Sequence, residues 1–177
     1  MKHITDYLEK EQMQTILTCA QTCSSRDYLI LRILWCSGIR VSELLSIRPQ
    51  DMEPRNQVVN VTKAKGNKQR RVLLDLETLD MLSTYVLDMN IPVERPVFPF
   101  SRVWIWQMVK KYARMAGLPD TIHPHTFRHS FAIHLVRSGL DLRRLQQLLG
   151  HSDLNTTQVY LKFKDEDLRE GYNKVEF

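Results

Sequence analysis

The stretch "QVVNVTKAKGNKQRRVLL", residues 57–74, is the one part of this chain patterned for β structure. Two runs rich in β-branched and aliphatic residues flank a basic tip that contains a glycine, which reads as a hairpin. The segments on either side are spaced for helices, so the β content is small and local. Thr5 or Asp6 can cap a first helix through about Ala20. Ser25 can cap a second, in which Leu31, Leu34 and Trp35 fall at core spacing before Gly38 ends it. A short helix carries "RVSELL" ahead of Pro49, and Asp75 can cap "DLETLDMLSTYVLDM", which breaks in the stretch holding Pro92, Pro96 and Pro99.

Ser101 can start another helix that ends at Gly117. Pro124 suits the first turn of the next, which runs to Gly139 with Phe127, Phe131 and Leu135 four apart on an apolar face. Asp141 can cap one more, stopped by Gly150, and "SDLNTTQVYLK" supplies a last short helix. With no internal repeat, low-complexity segment or domain boundary, the expectation is a single domain over residues 1–177, mainly α with a small antiparallel β-sheet (α+β).

Several function classes are excluded early. The longest apolar runs, such as "YLILRILWC", are interrupted by an arginine and fall short of the ~18 to 20 residues that span a bilayer. The opening "MKHITDYLEK" has no apolar stretch behind its lysine and does not resemble a secretory signal. The 3 cysteines, Cys19, Cys23 and Cys36, are odd in number without a repeated pair, which argues against a disulfide framework and suits a reducing compartment. The expected location is cytoplasmic. A balance of 25 basic against 20 acidic residues, net +5, permits nucleic acid as a partner without demanding it.

The chemistry concentrates in "HPHTFRHSFAIHL", residues 123–135, where four of the chain's 6 histidines stand beside an arginine. A metal site, a histidine-rich structural helix and a cationic phosphate pocket all compete for this segment. His125 and His129 share a helical face, as two zinc ligands of a metalloprotease would, but Thr126 stands where that motif needs a glutamate. His134 falls in an apolar face and reads as a hydrogen-bonded core residue, and His129 as a support for its neighbours. His125 and Arg128 are three apart, in a first turn whose N–H groups and dipole favour an anion, and look like part of a phosphate seat.

Three other segments offer matching groups. "SGIRVSELL" launches Arg40 from a corner just after the glycine that ends a buried helix. "LLGHSDLNTTQVY" places His151 just after Gly150 and Tyr160 nine residues on. The hairpin tip presents Lys63, Lys65 and Lys68 as a cationic finger able to reach a nucleic-acid backbone.

With these four segments in this order, the chain resembles the tyrosine recombinase family, the Xer and phage integrase type, from about residue 5 to about residue 165. "GIRVSELL" is similar to the family's first-arginine motif, "KAKGNKQR" to its lysine hairpin, "HPHTFRHSFAIHL" to its histidine and second-arginine box, and "LLGHSDLNTTQVY" to its final histidine and tyrosine box. The resemblance implies a site-specific DNA recombinase that cleaves and rejoins strands through a covalent 3′-phosphotyrosine intermediate, with no metal and no cofactor. It implies Arg40, Lys65, His125, Arg128 and His151 as the pocket and Tyr160 as the nucleophile. Lys63, Lys68 and Arg70 are the expected DNA contacts, with Lys68, Arg70 and Arg71 read as backbone contacts or solvated charges. Glu43 is read as a helix-surface or arginine-orienting group. The implied partners are double-stranded DNA and other protomers, a tetramer in the synaptic complex and a monomer alone. A type IB topoisomerase with nearly the same pocket, or an inactive DNA-binding relative, remains open at this point.

Relatives of this kind carry an amino-terminal core-binding domain to which nothing here corresponds, so the isolated chain is expected to bind DNA weakly and with strong salt dependence. At the other end, Leu161, Leu168, Tyr172 and Val175 form an apolar stripe on a charged segment. That stripe is expected to dock on a neighbouring protomer in the assembled complex, with about residues 165–177 forming a tail helix. Deleting residues 165–177 is then expected to weaken assembly on paired sites, measured by gel mobility, while sparing cleavage of one site; equal loss of both would contradict this reading.

Overall fold

The computed structural model describes residues 7–62 and 69–150. Among these residues the architecture is mainly helical around one small sheet, as expected. Helices α1 (Lys10–Cys23) and α2 (Ser25–Ser37) pack against each other, and α2 also carries α4 (Leu76–Asp88) and α6 (Pro124–Arg137). Leu29, Ile30, Leu31, Ile33 and Leu34 are all buried, so α2 is apolar around most of its circumference and forms the centre of the main core. The short α3 (Val41–Leu44), α5 (Arg102–Met115) and α7 (Leu142–Leu149) complete the helices.

Local chemistry places most of the ends. Asp75 caps α4 by accepting the Thr78 N–H at 2.9 Å, Ser101 caps α5 through Trp104, and Asp141 caps α7 through Arg144. Burial pushes the Asp75 carboxyl up, but hydrogen bonds from Thr78 and Arg32 outweigh it and hold the group at about 2. Gly150 closes α7 in the left-handed region at φ 63°. Burial and the nearby Asp75 charge push the Cys36 thiol up to about 12, which leaves it unreactive.

Three features differ from the sequence expectation. The hairpin is there as β2 (Val58–Thr62) and β3 (Gln69–Leu73), antiparallel with Val59 opposite Val72, but a third strand, β1 (Met52–Glu53), lies on the far side of β2. The second helix is capped by Ser24, whose hydroxyl accepts the Asp27 N–H, so Ser25 is its first residue rather than its cap. The first helix starts at Lys10, and residues 7–9 form a strap on α6. Leu8 donates its N–H to the Ser130 hydroxyl at 2.7 Å, its carbonyl lies 2.9 Å from His134 Nε2, and Arg137 pairs with Glu9. These bonds hold the backbone out of a helix, overriding local capping signals. Thr5, Asp6 and the short helix expected at residues 152–162 lie outside the described residues.

The turn between α2 and α3 positions the site. Gly38 takes φ +57°, and a Cβ added there would stand 2.4 Å from Phe131 Cδ1 of α6. Both the backbone and the close helix approach therefore require glycine. Gly38→Ala is expected to destabilise the protein by about 2 to 4 kcal/mol, from left-handed strain plus overpacking. Urea unfolding of a double-mutant cycle with Phe131→Leu checks this: the two changes should be less than additive, because a smaller side chain at 131 removes the clash and leaves only the strain.

Candidate active site

Arg40 begins α3 at its N-cap position, two residues beyond Gly38, with its side chain 36% exposed. Glu43, one turn on, holds it twice: one carboxylate oxygen accepts the Arg40 backbone N–H and the other accepts Nη1, both at 3.1 Å. Of the two roles expected for Glu43, the orienting one fits and the surface one does not, because the residue is only 2% exposed.

Arg128 lies on the second turn of α6 and is 5% exposed. Its Nη1 donates to the Gly38 carbonyl at 2.5 Å and its Nη2 to the Leu149 carbonyl at 2.6 Å. One guanidinium thus ties the corner that launches Arg40 to the end of α7. His125 is exposed in the first turn of α6, its ring meeting that of the N-cap residue His123 edge-on with centroids 5.9 Å apart. His129 is half-buried on the same helix. His134 has the structural role expected of it, bonded to Leu8 and edge-on to Trp35 at 5.1 Å.

Arg70 requires a correction. Expected as a solvent-facing contact for DNA, it is 8% exposed and turned inward. Its Nε and Nη2 grip the two carboxylate oxygens of Glu43 at 3.2 and 2.8 Å, and its Nη1 donates to the Leu148 carbonyl. Strand alternation accounts for this: Arg70 shares a face with buried Val72 and Leu74, while Arg71 and Leu73 face out. The same alternation was readable in the sequence, and it is the signal that identifies Arg70 as an interior group. Lys63, Lys65, Lys68, His151 and Tyr160 lie outside the described residues.

The last carbonyls of a helix lack intrahelical partners and carry the negative end of its dipole. At the end of α7, the Gly150 N–H serves Gln146 and Gln147, while Arg70 and Arg128 take the next two carbonyls in order. Three guanidiniums and one carboxylate therefore converge where α2, α3, β3, α6 and α7 meet. The cluster keeps an excess of fixed positive charge, suited to bind an oxyanion bearing several acceptor oxygens.

This architecture has counterparts among known recombinases. Residues 6–167 match the profile of the Phage integrase family. A protein described as a tyrosine recombinase from Pseudothermotoga lettingae is 36% identical over 178 residues, covering 98% of this chain and 62% of that one. The crystal structure of XerA recombinase superposes with a TM-score of 0.84 at 29% identity, over 100% of this chain and 68% of that one. A crystal structure of the XerH site-specific recombinase bound to palindromic difH substrate, a post-cleavage complex, gives a TM-score of 0.82 at 25% identity, over 96% of this chain and 53% of that one. The chain belongs to the phage integrase family, and it spans a little under two thirds of the length of the tyrosine recombinase it matches.

Burial pushes Glu43 upward, but the hydrogen bond and charge of Arg70, followed by Arg40, outweigh it and hold the carboxyl below its ordinary value of 4.5. A depressed folded value means that Glu43 contributes its full stability above pH 4.5 and loses it as the pH falls through the lower folded value. Glu43→Gln, which leaves two guanidiniums without their carboxylate, is expected to cost about 3 kcal/mol at pH 7. Denaturant unfolding at pH 7 and pH 3 should show this deficit shrinking at the lower pH; a constant deficit would contradict the ionic account.

Proposed function

We propose that this chain is the catalytic domain of a site-specific DNA recombinase that cleaves and rejoins strands through a 3′-phosphotyrosine link. The observation that carries the reading is the bond from Arg128 to the Gly38 carbonyl, which holds the second-arginine helix against the corner that launches Arg40. A DNA phosphodiester resists attack because the nucleophile meets an anion, and the transition state gathers more negative charge on the nonbridging oxygens. Fixed guanidiniums oppose that charge without reorganising during the reaction, and losing one such donor costs about 3 kcal/mol or more of barrier.

The remaining roles follow from the motifs. The Tyr160 phenol has an ordinary pKa of ~10 and must lose its proton to attack phosphorus. His125, exposed at the start of α6, accepts that proton. As the new bond from the phenolic oxygen to phosphorus forms, the bond to the 5′-oxygen breaks. Lys65 on the hairpin protonates the departing oxygen, and His151 donates to the phosphate. Attack by a 5′-hydroxyl from a second strand reverses the steps and exchanges the strands. Arginine and lysine charges stand here where two-metal nucleases place their ions.

The proposed substrate is double-stranded DNA, with other protomers joining in a tetrameric synaptic complex and the protein a monomer alone. Among the described residues no helix is long and apolar enough to cross a membrane, which is consistent with cytoplasmic action on DNA. The post-cleavage XerH complex with difH substrate supports the reading by likeness.

Incubation with a nicked half-site is expected to yield a denaturation-resistant protein–DNA adduct in the presence of a chelator, and Tyr160→Phe should abolish the adduct while retaining DNA binding. An adduct that survives the substitution, or that chelation removes, would overturn the assignment. Joined recombinant products from paired sites separate recombination from simple relaxation of supercoils.

A further inference from the structure

Ser130 and His134 stand one turn apart on α6 and take both backbone polar groups of a single residue, Leu8. The Leu8 N–H donates to the Ser130 hydroxyl at 2.7 Å, and His134 Nε2 donates to the Leu8 carbonyl at 2.9 Å. Ser130 passes the contact on, because its own hydroxyl donates to the Thr126 carbonyl at 2.7 Å, in the turn that holds Arg128. Further along the same face, Arg137 pairs with Glu9 and donates to the Tyr7 hydroxyl. Leu8 is buried in the main core, while Tyr7 packs on the smaller cluster of α6 and α7. Two residues turn a helix by about 200°, so Arg128 leaves α6 from the side opposite Ser130.

We propose that the strap at residues 7–9, gripped by Ser130 and His134, is a positioning device for strand cleavage: it fixes α6 along its axis and so sets where the Arg128 guanidinium stands. The proposal rests on the recombinase reading above and adds to it residues on the far side of the helix from the arginine cluster. An apolar cover alone would not do this. Packed methyl groups tolerate some sliding of a helix along its axis, whereas two directional bonds one turn apart permit one position. Leu8 supplies both, its side chain filling the core and its backbone setting the register. Arg128 depends on that register, because its two nitrogens must meet carbonyls on different elements, Gly38 after α2 and Leu149 at the end of α7. A shift of about 1 Å in a group that acts on the transition state can cost about 100-fold in rate.

Substrate charge isolates the arginine. A DNA strand with a methyl group in place of one nonbridging oxygen at the scissile phosphate carries no negative charge there, so a misplaced guanidinium ceases to matter. Cleavage rates on the charged and neutral versions of the same site are measured for the full chain carrying His134→Leu, His134→Gln, Arg128→Ala, or no change. His134→Leu keeps apolar bulk but removes the donor to Leu8. It should lose about 100-fold on the charged substrate and recover to within a few-fold of the parent on the neutral one. Glutamine restores an N–H donor at this position, so His134→Gln should stay within a few-fold of the parent on both. His134→Leu combined with Arg128→Ala should be no slower on the charged substrate than Arg128→Ala alone.

Because the ratio of the two rates does not depend on the folded fraction, a destabilised variant still reports. Unchanged cleavage by His134→Leu, a glutamine variant as slow as the leucine one, or equal loss on both substrates while the neutral one rescues Arg128→Ala would each overturn the strap's role. Those results leave the arginine assignment standing. Failure of the neutral substrate to rescue Arg128→Ala would instead sink that assignment, and with it any action of the strap through Arg128.

Discussion

A carboxylate enclosed by protein is tolerable only when cations and hydrogen bonds replace the water it has lost, and Glu43 meets that condition from two directions. Arg70 reaches it from β3 and Arg40 reaches it along α3, so one buried anion draws a cation 27 residues away to the place where a neighbouring one already stands. The pairing is unequal. Arg70 is enclosed with it and engaged through all three nitrogens, whereas Arg40 keeps about a third of its side chain exposed. Glu43 therefore anchors one guanidinium wholly and orients the other toward solvent.

The second constraint comes from α6. Its first turns, through Phe127, belong to the main core around α2, while Ala132, Ile133 and Val136 form a smaller cluster with Leu145 and Leu149 of α7. Arg128 sits at the junction of the two cores, and its bonds to Gly38 and Leu149 run one into each. The strap at residues 7–9 fixes the same helix from behind through Ser130, His134 and Arg137. A helix held along its length in this way keeps its polar groups in register with the arginine corner, which is what a preorganised anion site requires.

Much of this was legible in the sequence, because caps and stops are local. Asp75, Ser101, Asp141, Gly38 and Gly150 mark helix ends through bonds or dihedrals that involve only a few neighbouring residues. What escaped was set by partners far away in the chain. The start of α1 was displaced because Leu8 bonds to residues more than 120 positions distant. The third strand is two residues long, too short to show any periodicity. Arg70 looked like one more charge on a basic hairpin, since its partner Glu43 lies 27 residues earlier, and only the alternation with Val72 and Leu74 hinted that it turns inward.

The position of charge here matters more than its amount. A net charge of +5 spread over 177 residues is modest, and 20 acidic side chains would screen a diffuse basic surface. Inside the arginine cluster screening by salt is weak, and among the described residues the one carboxylate bonded there, Glu43, is already committed to Arg70 and Arg40. The carbonyls of Leu148 and Leu149 that Arg70 and Arg128 hold are neutral, so they fix the guanidiniums in place without cancelling their charge. Replacing those carbonyls with carboxylates would bind the arginines more tightly while neutralising them. A backbone helix end is therefore the better anchor, because it leaves the field of the cluster positive.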